Sequence, residues 1–248
     1  MHALIVIPTY QESANIVDAL EQVRASVPDA DVLVVDDGSP DGTADRAESA
    51  GERLGGVTVL RRPGKAGLGS AYRAGFRWGL DRGYEALVEM DADLSHDPAV
   101  LPDLLGCVAK DADLAIGSRY VPGGSIPAWT AWRRALSRWG NRYAAWALDL
   151  DVADATSGFR AYRAEALVDI DFETVRADGY GFQIETAYRM AGRGRKVVEI
   201  PIAFADRRHG SSKMSGRIVV EALLLVTGWG VRDRVERRRG GRPRRPAP

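Results

Sequence analysis

What this chain lacks narrows its class first. It has one cysteine, Cys107, in 248 residues, so no intrachain disulfide can staple it, and the composition fits a reducing compartment. That cysteine sits in a helical pattern and reads as a small core residue. Nowhere are there about twenty uninterrupted apolar residues, so no membrane span is expected. The N-terminus runs straight into a strand-like segment, without the charged and apolar regions of a signal peptide, and none is expected. Net charge is also absent, with 34 Lys and Arg against 34 Asp and Glu. That balance removes any global electrostatic pull toward nucleic acid. It conceals an uneven distribution, however. From Arg232 onward eight arginines face only Asp233 and Glu236, so this segment carries +6 and the remainder −6. A block of this kind usually serves as a disordered arm or an interaction tail.

What is present is a chain 45% apolar, long enough for one large α/β domain or two small ones. Ala3-Leu4-Ile5-Val6-Ile7-Pro8 is a continuous apolar run closed by proline and predicts a buried parallel strand. Ile16, Ala19, Leu20, Val23 and Val27 then recur at helical spacing. A second buried strand is predicted at Val32–Val35. It runs into Asp36-Asp37-Gly38-Ser39-Pro40-Asp41-Gly42, where Ser39 reads as an N-cap and Pro40 as the first helical residue. After a third strand at Val57–Leu60, a glycine-rich loop from Gly64 to Gly69 opens a helix to about Leu80. This is no Walker loop, since Lys65 stands near its start. Nor is it a dinucleotide fingerprint, whose third glycine is replaced by Tyr72. Further strands at Ala86–Val88 and Asp113–Gly117 flank a helix from Pro98 to Lys110, with Asp97 as N-cap. This alternation predicts an α/β fold, a mostly parallel sheet with helices on both faces.

Beyond Ser118 the texture changes. A helix from Ala128 to about Leu148 carries Trp129, Trp132, Trp139 and Trp146, and such a helix can pack on the core or lie at a membrane interface with its aromatics at headgroup level; Trp139 and Trp146 are expected in the core, with Arg133, Arg134 and Arg138 on a solvated face. A short strand from Thr156, a helix opening at Gly179 and a strand at Val197–Ile202 follow. The basic loop Arg207–Met214 has the composition of a segment that closes over an anion. Ile218–Val231 is apolar but too short to span a bilayer, and suits a packing or interfacial helix. The domain is expected to occupy residues 1–231, ending in a helix at about 216–231, with an Arg-rich tail at 232–248.

The most informative stretch is Glu89-Met90-Asp91-Ala92-Asp93, directly after a predicted strand. Ligands of open α/β sheets bind outside the carboxyl ends of the strands. Two carboxylates there can hold a hard divalent cation and leave positions open for phosphate oxygens. The alternative is a polar turn before the next helix. A second acidic strand end, Asp36-Asp37, falls on the same side of a parallel sheet and favours the metal reading.

Taken in order, the motifs resemble the dolichol- or polyprenol-phosphate mannosyltransferase family. They are Pro8-Thr9-Tyr10-Gln11-Glu12, Asp36 to Thr43, Gly67-Leu68-Gly69, Asp91-Ala92-Asp93-Leu94-Ser95-His96, Gly117-Ser118-Arg119, Thr156-Ser157-Gly158-Phe159-Arg160 and Gly210-Ser211-Ser212-Lys213. Gln11 departs from the asparagine usual in the family, and the Arg-rich C-terminus lies outside the shared pattern. The resemblance implies a single type A glycosyltransferase domain, inversion at the anomeric centre, and Mg²⁺ or Mn²⁺. It implies that Pro8, Tyr10, Glu12, Val35 and Asp37 hold the guanine nucleoside, and that Asp91, Ala92 and Asp93, with Ser95, place the metal on the diphosphate. By the same resemblance Arg119, Arg207 and Lys213 clamp phosphate groups, while Arg119, Arg133 and Ser137 meet the acceptor phosphate. Asp93, Arg119 and Arg133 are the implied catalytic residues.

The implied reaction is GDP-mannose plus polyprenyl phosphate giving polyprenyl-phosphate-mannose and GDP. A phosphate nucleophile is already anionic near neutral pH, so no general base is required. Cationic groups that bring two anions together are required, and arginine's planar fork suits them. The expected partners are the nucleotide sugar, the lipid and the cytoplasmic membrane surface, where the protein sits peripherally, with or without an anchoring partner protein. Two other readings stand beside this one: a sister transferase using UDP-glucose or UDP-GlcNAc, and a non-catalytic membrane-surface adaptor. Intact Asp91, Asp93, Arg119 and Lys213 favour an enzyme, since an adaptor has no need of them.

Overall fold

Alternating burial along the strands builds two cores, one on each face of a single sheet. In β1 (Ala3–Thr9) Leu4 and Val6 enter one core while Ala3, Ile5 and Ile7 enter the other. β2 (Asp31–Asp36) repeats this with Leu33 and Val35 against Val32 and Val34. Such period-two sorting follows from the pleat, and burial on both faces is why these strands read as continuous apolar runs. The computed structural model describes residues 1–205 and 216–238. Arg207, Lys213 and the end of the Arg-rich segment lie outside the described residues.

Five further strands complete the sheet: β3 (Val57–Arg61), β4 (Ala86–Glu89), β5 (Leu114–Ser118), β6 (Arg160–Arg163) and β7 (Val197–Pro201). Their order is β3-β2-β1-β4-β6-β5-β7. Only β6 runs antiparallel to its neighbours β4 and β5. The helices α1 (Ile16–Ser26) and α2 (Thr43–Leu54) cover the face that buries Ile5, together with a later helix, α4 (Leu101–Lys110). The opposite face is covered by α3 (Leu68–Leu80), α5 (Ala131–Leu148), α6 (Ala164–Asp169), α7 (Tyr180–Gly192) and α8 (Gly216–Arg238). Close seating of α3 depends on Gly75, where a Cβ would fall 2.4 Å from a Val6 methyl.

Chain order reverses beside β1. β2 and β3 lie on one side of it and β4 on the other, which makes the β1/β4 boundary the switch point where a crevice opens at the carboxyl ends. Because β6 is antiparallel, the loop that precedes it reaches this same rim, with Arg160 opposite Glu89 and Ile116.

Several local expectations are corrected. α2 begins at Thr43, after Gly42 in a left-handed conformation, rather than at Pro40. Ser39 is spent elsewhere: its hydroxyl donates to Asp36 at 2.6 Å and accepts the Gln11 N–H at 2.9 Å. Asp97 does cap, accepting the Ala99 N–H at 2.9 Å ahead of a short 3-10 turn that leads into α4. α5 starts at Ala131, and β6 starts at Arg160 rather than Thr156. α8 continues past Val231 to Arg238, since no glycine or proline interrupts the segment from Arg232 to Arg238. Trp139 and Trp146 are not core residues but are 54% and 68% exposed. Their i, i+7 spacing marks one stripe of the helix, and that stripe faces outward.

Candidate active site

Strand order fixes the order of chemistry along the crevice. From the β2 end toward β7 its wall carries Asp37, then Pro8, Tyr10 and Glu12. Next come Asp91, Ala92 and Asp93, followed by Ser157 and Gly158, Arg119, and Phe204. Helices add Lys65, Gly67 and Leu68 from the start of α3, Trp129 and Arg133 around the start of α5, and Asp178, Tyr180 and Gln183 around the start of α7. The cleft they enclose has a volume of about 650 Å³, within the range of small-molecule sites.

At the first end, three cross-loop hydrogen bonds knit the β1 and β2 loops together. Gln11 N–H donates to Ser39 at 2.9 Å, Glu12 N–H to Thr43 at 3.0 Å and Ser13 N–H to Asp41 at 3.2 Å. Beneath them Asp36 is 2% exposed and accepts from the Thr9 hydroxyl at 2.9 Å. Asp37 is thereby left for the cleft, where it accepts the Ala66 N–H at 3.2 Å and stands 3.0 Å from Arg62. The Lys65 ammonium lies 4.8 Å above the Tyr10 ring. Val35, in contrast, is wholly buried in the core below, so its side chain does not reach the cleft.

In the middle, the Asp91 loop is held rigidly. The Ser95 N–H donates to Asp93 at 3.0 Å, and Leu94 takes a left-handed conformation with φ 59°. The Asp91 N–H donates to Nδ1 of His96 at 3.4 Å. The His96 ring is stacked on Phe159 with centroids 4.9 Å apart, so this histidine supports the loop. Below, Glu89 is completely buried, and that burial pushes its carboxyl up to about 7 despite the Arg160 guanidinium and a 2.9 Å hydrogen bond from Tyr162. Arg160 is itself fully buried and spends its donors on the Ser157, Gln183 and Ala155 carbonyls at 2.6, 2.7 and 2.7 Å. It thereby ties the loop before β6 to α7.

Among the described residues no group of three or more His, Cys, Asp or Glu side chains is placed to hold a metal ion. Two carboxylates one residue apart suit a small hard cation that completes its oxygen shell with substrate phosphate and water. The buried Ser95 hydroxyl, without a hydrogen-bond partner, adds a third oxygen at the same turn. An all-oxygen set of this kind fits Mg²⁺ or Mn²⁺.

At the far end are the arginines. Arg119 is 5% exposed and gripped by Asp154: Nε and Nη2 donate to the two carboxylate oxygens at 2.7 and 2.6 Å, and the Arg119 N–H adds a third bond at 3.0 Å. Burial raises the Asp154 carboxyl, but the guanidinium outweighs it and holds the group below the ordinary carboxylate range. Nη2 of Arg119 also donates to Thr156 at 2.8 Å, and Thr156 accepts from Asn141 of α5 at 3.1 Å. Arg133 stacks on the Trp129 ring at 3.9 Å. Ser137 accepts the Tyr120 hydroxyl at 2.6 Å and is not part of the cleft wall.

The described members of the sequence-derived set are thus brought together, apart from Val35 and Ser137, while Arg207 and Lys213 lie outside the described residues. Four further residues went unmarked by sequence reasoning: Asp154, Trp129, Asp178 and Gln183. Asp178 explains the glycine-rich loop, because a Cβ on Gly67 or Gly69 would meet its carboxylate at 2.7 or 2.9 Å. The buried Nε1 of Trp129 has no hydrogen-bond partner and belongs to a side chain in the cleft wall.

Comparison with known proteins bears on the family and the fold. Residues 4–171 match the family model described as glycosyl transferase family 2. An undecaprenyl-phosphate mannosyltransferase of Micrococcus luteus is 50% identical over 236 residues, covering 95% of this chain and 97% of that one. A polyprenol monophosphomannose synthase of Mycolicibacterium smegmatis is 50% identical over 239 residues, covering 96% and 90%. Among solved structures, the mannosyltransferase PcManGT from Pyrobaculum calidifontis, in complex with GDP-Man and Mn²⁺, superimposes with a TM-score of 0.65. It is 18% identical over 94% of this chain and 64% of its own. That likeness bears on the fold, which is the expected type A architecture.

Proposed function

Because the chain belongs to glycosyl transferase family 2 and, within it, to the polyprenyl-phosphate mannosyltransferases, we propose that it transfers mannose from GDP-mannose to a polyprenyl phosphate with inversion. The observation that carries this reading is the order along the rim: an acidic and aromatic pocket, then a carboxylate pair, then buried arginine. A nucleoside, its diphosphate and a second phosphate laid across the cleft would meet those groups in that sequence. In this reading Glu12, Tyr10 and Asp37 orient the nucleoside. Asp91 and Asp93, with Ser95, hold Mg²⁺ or Mn²⁺. Bound there, such an ion stabilises the charge growing on the leaving diphosphate.

The acceptor oxygen attacks the anomeric carbon as the bond to GDP breaks, with no proton to remove. Arg119 and Arg133 draw the acceptor phosphate in and stay charged throughout. The unpaired Trp129 N–H is a further donor for that phosphate. Arg207 and Lys213 complete the phosphate set in the reading carried over from the family.

A lipid acceptor requires work at a bilayer, and no helix of the described residues is long and apolar enough to cross one. A face suited to lying on the cytoplasmic surface is present instead. On α5 Trp132, Leu136, Trp139 and Trp146 are exposed in a row, and α8, packed against it, exposes Val220, Leu224, Val231 and Val235. Arginines flank the row, with Arg234 4.6 Å over the Trp146 ring. Exposed aromatics beside cationic side chains are the pattern of an interfacial helix.

Vesicles carrying polyprenyl phosphate test both halves of the reading. Wild-type protein should bind them and move mannose from GDP-mannose into the lipid phase. The combined Trp132→Ser, Trp139→Ser and Trp146→Ser protein should bind at least about tenfold more weakly, since losing even ~60 Å² of inserted apolar surface has that effect. Its turnover with a short, detergent-soluble acceptor should be unchanged. Equal vesicle binding by the two proteins would remove this face from the account.

A further inference from the structure

One charged side chain stands where the pleat calls for an apolar one. In the edge strand β7, Val197 and Glu199 lie beside Leu114 and Ile116 of β5, which belong to one of the two cores. A half-buried carboxylate in such a row costs stability unless hydrogen bonds replace its water. Glu199 has those bonds, and both go to the same piece of chain. Its Oε2 accepts the Ala153 N–H at 2.7 Å and its Oε1 the Asp154 N–H at 2.9 Å. Bonds from backbone N–H groups to a carboxylate are about twice as strong as those between neutral groups. Two oxygens of one carboxylate on successive N–H groups also fix the orientation of the peptide between them, which a single bond leaves free to turn.

What this carboxylate holds is the base of the Arg119 clamp. Asp154, whose N–H it takes, is fully buried and accepts from Arg119 three times. Oδ2 takes the backbone N–H at 3.0 Å and Nε at 2.7 Å, and Oδ1 takes Nη2 at 2.6 Å. Arg119 directly follows β5, three residues after the Ile116 that lies beside Glu199, and lines the cleft. The edge strand β7, the loop before β6 and the end of β5 therefore meet at one point. We propose that Glu199 is a positioning residue: by fixing the peptide that carries Asp154, it sets the direction in which Arg119 presents its guanidinium to the acceptor phosphate. This inference rests on the reading of Arg119 as an acceptor-phosphate group and adds the support on which its aim depends. Asp154 alone does not supply that aim, since a carboxylate on an unsecured loop follows its arginine wherever it turns. The effect is confined to the acceptor end of the cleft. The nucleoside pocket and the carboxylate pair are built on β1, β2 and β4, which β6 and β5 separate from β7.

The test uses Glu199→Leu, which removes both acceptors at similar size, and Glu199→Gln, which keeps one oxygen and turns an amide N–H toward the other donor. Steady-state assays vary a short-chain polyprenyl phosphate and GDP-mannose separately, and calorimetry with a divalent cation gives the affinity for GDP. The Leu variant should lose about tenfold to a hundredfold in kcat/KM for the acceptor, the scale of loss when a binding group is misplaced by about an ångström. Its GDP affinity and its KM for the donor should stay as in wild type. The Gln variant should show the same selective loss to a smaller degree, and it decides the matter if the Leu variant folds poorly. Each substitution is then added to a protein carrying Arg119→Met and Asp154→Leu together. With that pair gone Glu199 has nothing left to aim, so neither addition should lower kcat/KM for the acceptor further. The inference is overturned if the variants lose donor and acceptor use equally, if they match wild type with the acceptor, or if their losses multiply with that of the pair. A wild type that transfers no sugar to polyprenyl phosphate, or a paired replacement that leaves acceptor use intact, would instead remove the acceptor reading of Arg119 and the inference with it.

Discussion

Asp93→Asn is expected to lower mannosyl transfer by roughly 10²–10⁴-fold, because a cation at a leaving diphosphate contributes several kcal/mol of transition-state stabilisation. The substitution is chosen to spare the fold. Asp93 lies in a loop and accepts the Ser95 N–H at 3.0 Å, a bond that the asparagine oxygen preserves, and the two side chains are nearly the same size and shape. Melting temperature should therefore stay close to wild type. Chelation by EDTA should suppress wild-type transfer to a similar degree, and added Mg²⁺ or Mn²⁺ should restore it. Undiminished activity in the variant, or in EDTA, would take the cation out of the account.

The second large effect concerns Arg119 and Asp154. Their side chains are 5% and 0% exposed and joined by two parallel hydrogen bonds. Removing one member of such a pair leaves the other charged and unpaired, at about 3–5 kcal/mol, whereas replacing both by apolar residues is often neutral. Arg119→Met and Asp154→Leu should each destabilise strongly, while the double variant recovers most of the stability. If Arg119 also draws in the acceptor phosphate, the recovered double variant should still be about 10²–10³-fold slower, the usual cost of one transition-state donor. A stable and fully active double variant would make the pair purely structural. The stabilisation has a defined pH sense. The folded-state pKa of Asp154 is depressed, so its contribution is complete above the unfolded carboxylate value. It is lost as pH falls through the folded value, and neutral-pH assays are unaffected.

These two sites differ in how legible they were. Asp91 and Asp93 follow an apolar run directly, so one strand prediction and one topological rule placed them at the crevice. Asp154 sits in an unremarkable polar stretch, and its role depends on β6 running antiparallel, which returns its preceding loop to the rim beside Arg119. Nothing local in the sequence specifies that pairing. The outward Trp139 and Trp146 show another limit, since periodicity identifies a shared stripe without saying whether protein or membrane covers it. Ser39-Pro40 carried a good local helix-start signal, overridden by cross-loop hydrogen bonds to the β1 loop. The strands β1, β2, β4 and β5, by contrast, were readable almost to the residue, because burial on both faces favours continuous apolar runs.

The most direct measurement incubates the protein with polyprenyl phosphate, a divalent cation and a panel of nucleotide sugars, then identifies any glycolipid by mass spectrometry and its anomeric configuration by NMR. The panel contains GDP-mannose, UDP-glucose and UDP-GlcNAc. GDP-mannose should be the donor used, giving mannose linked to the lipid phosphate with the anomeric centre inverted relative to the donor. A glucosyl or N-acetylglucosaminyl lipid, a mannosyl lipid with retained configuration, or no glycolipid from any donor would contradict it.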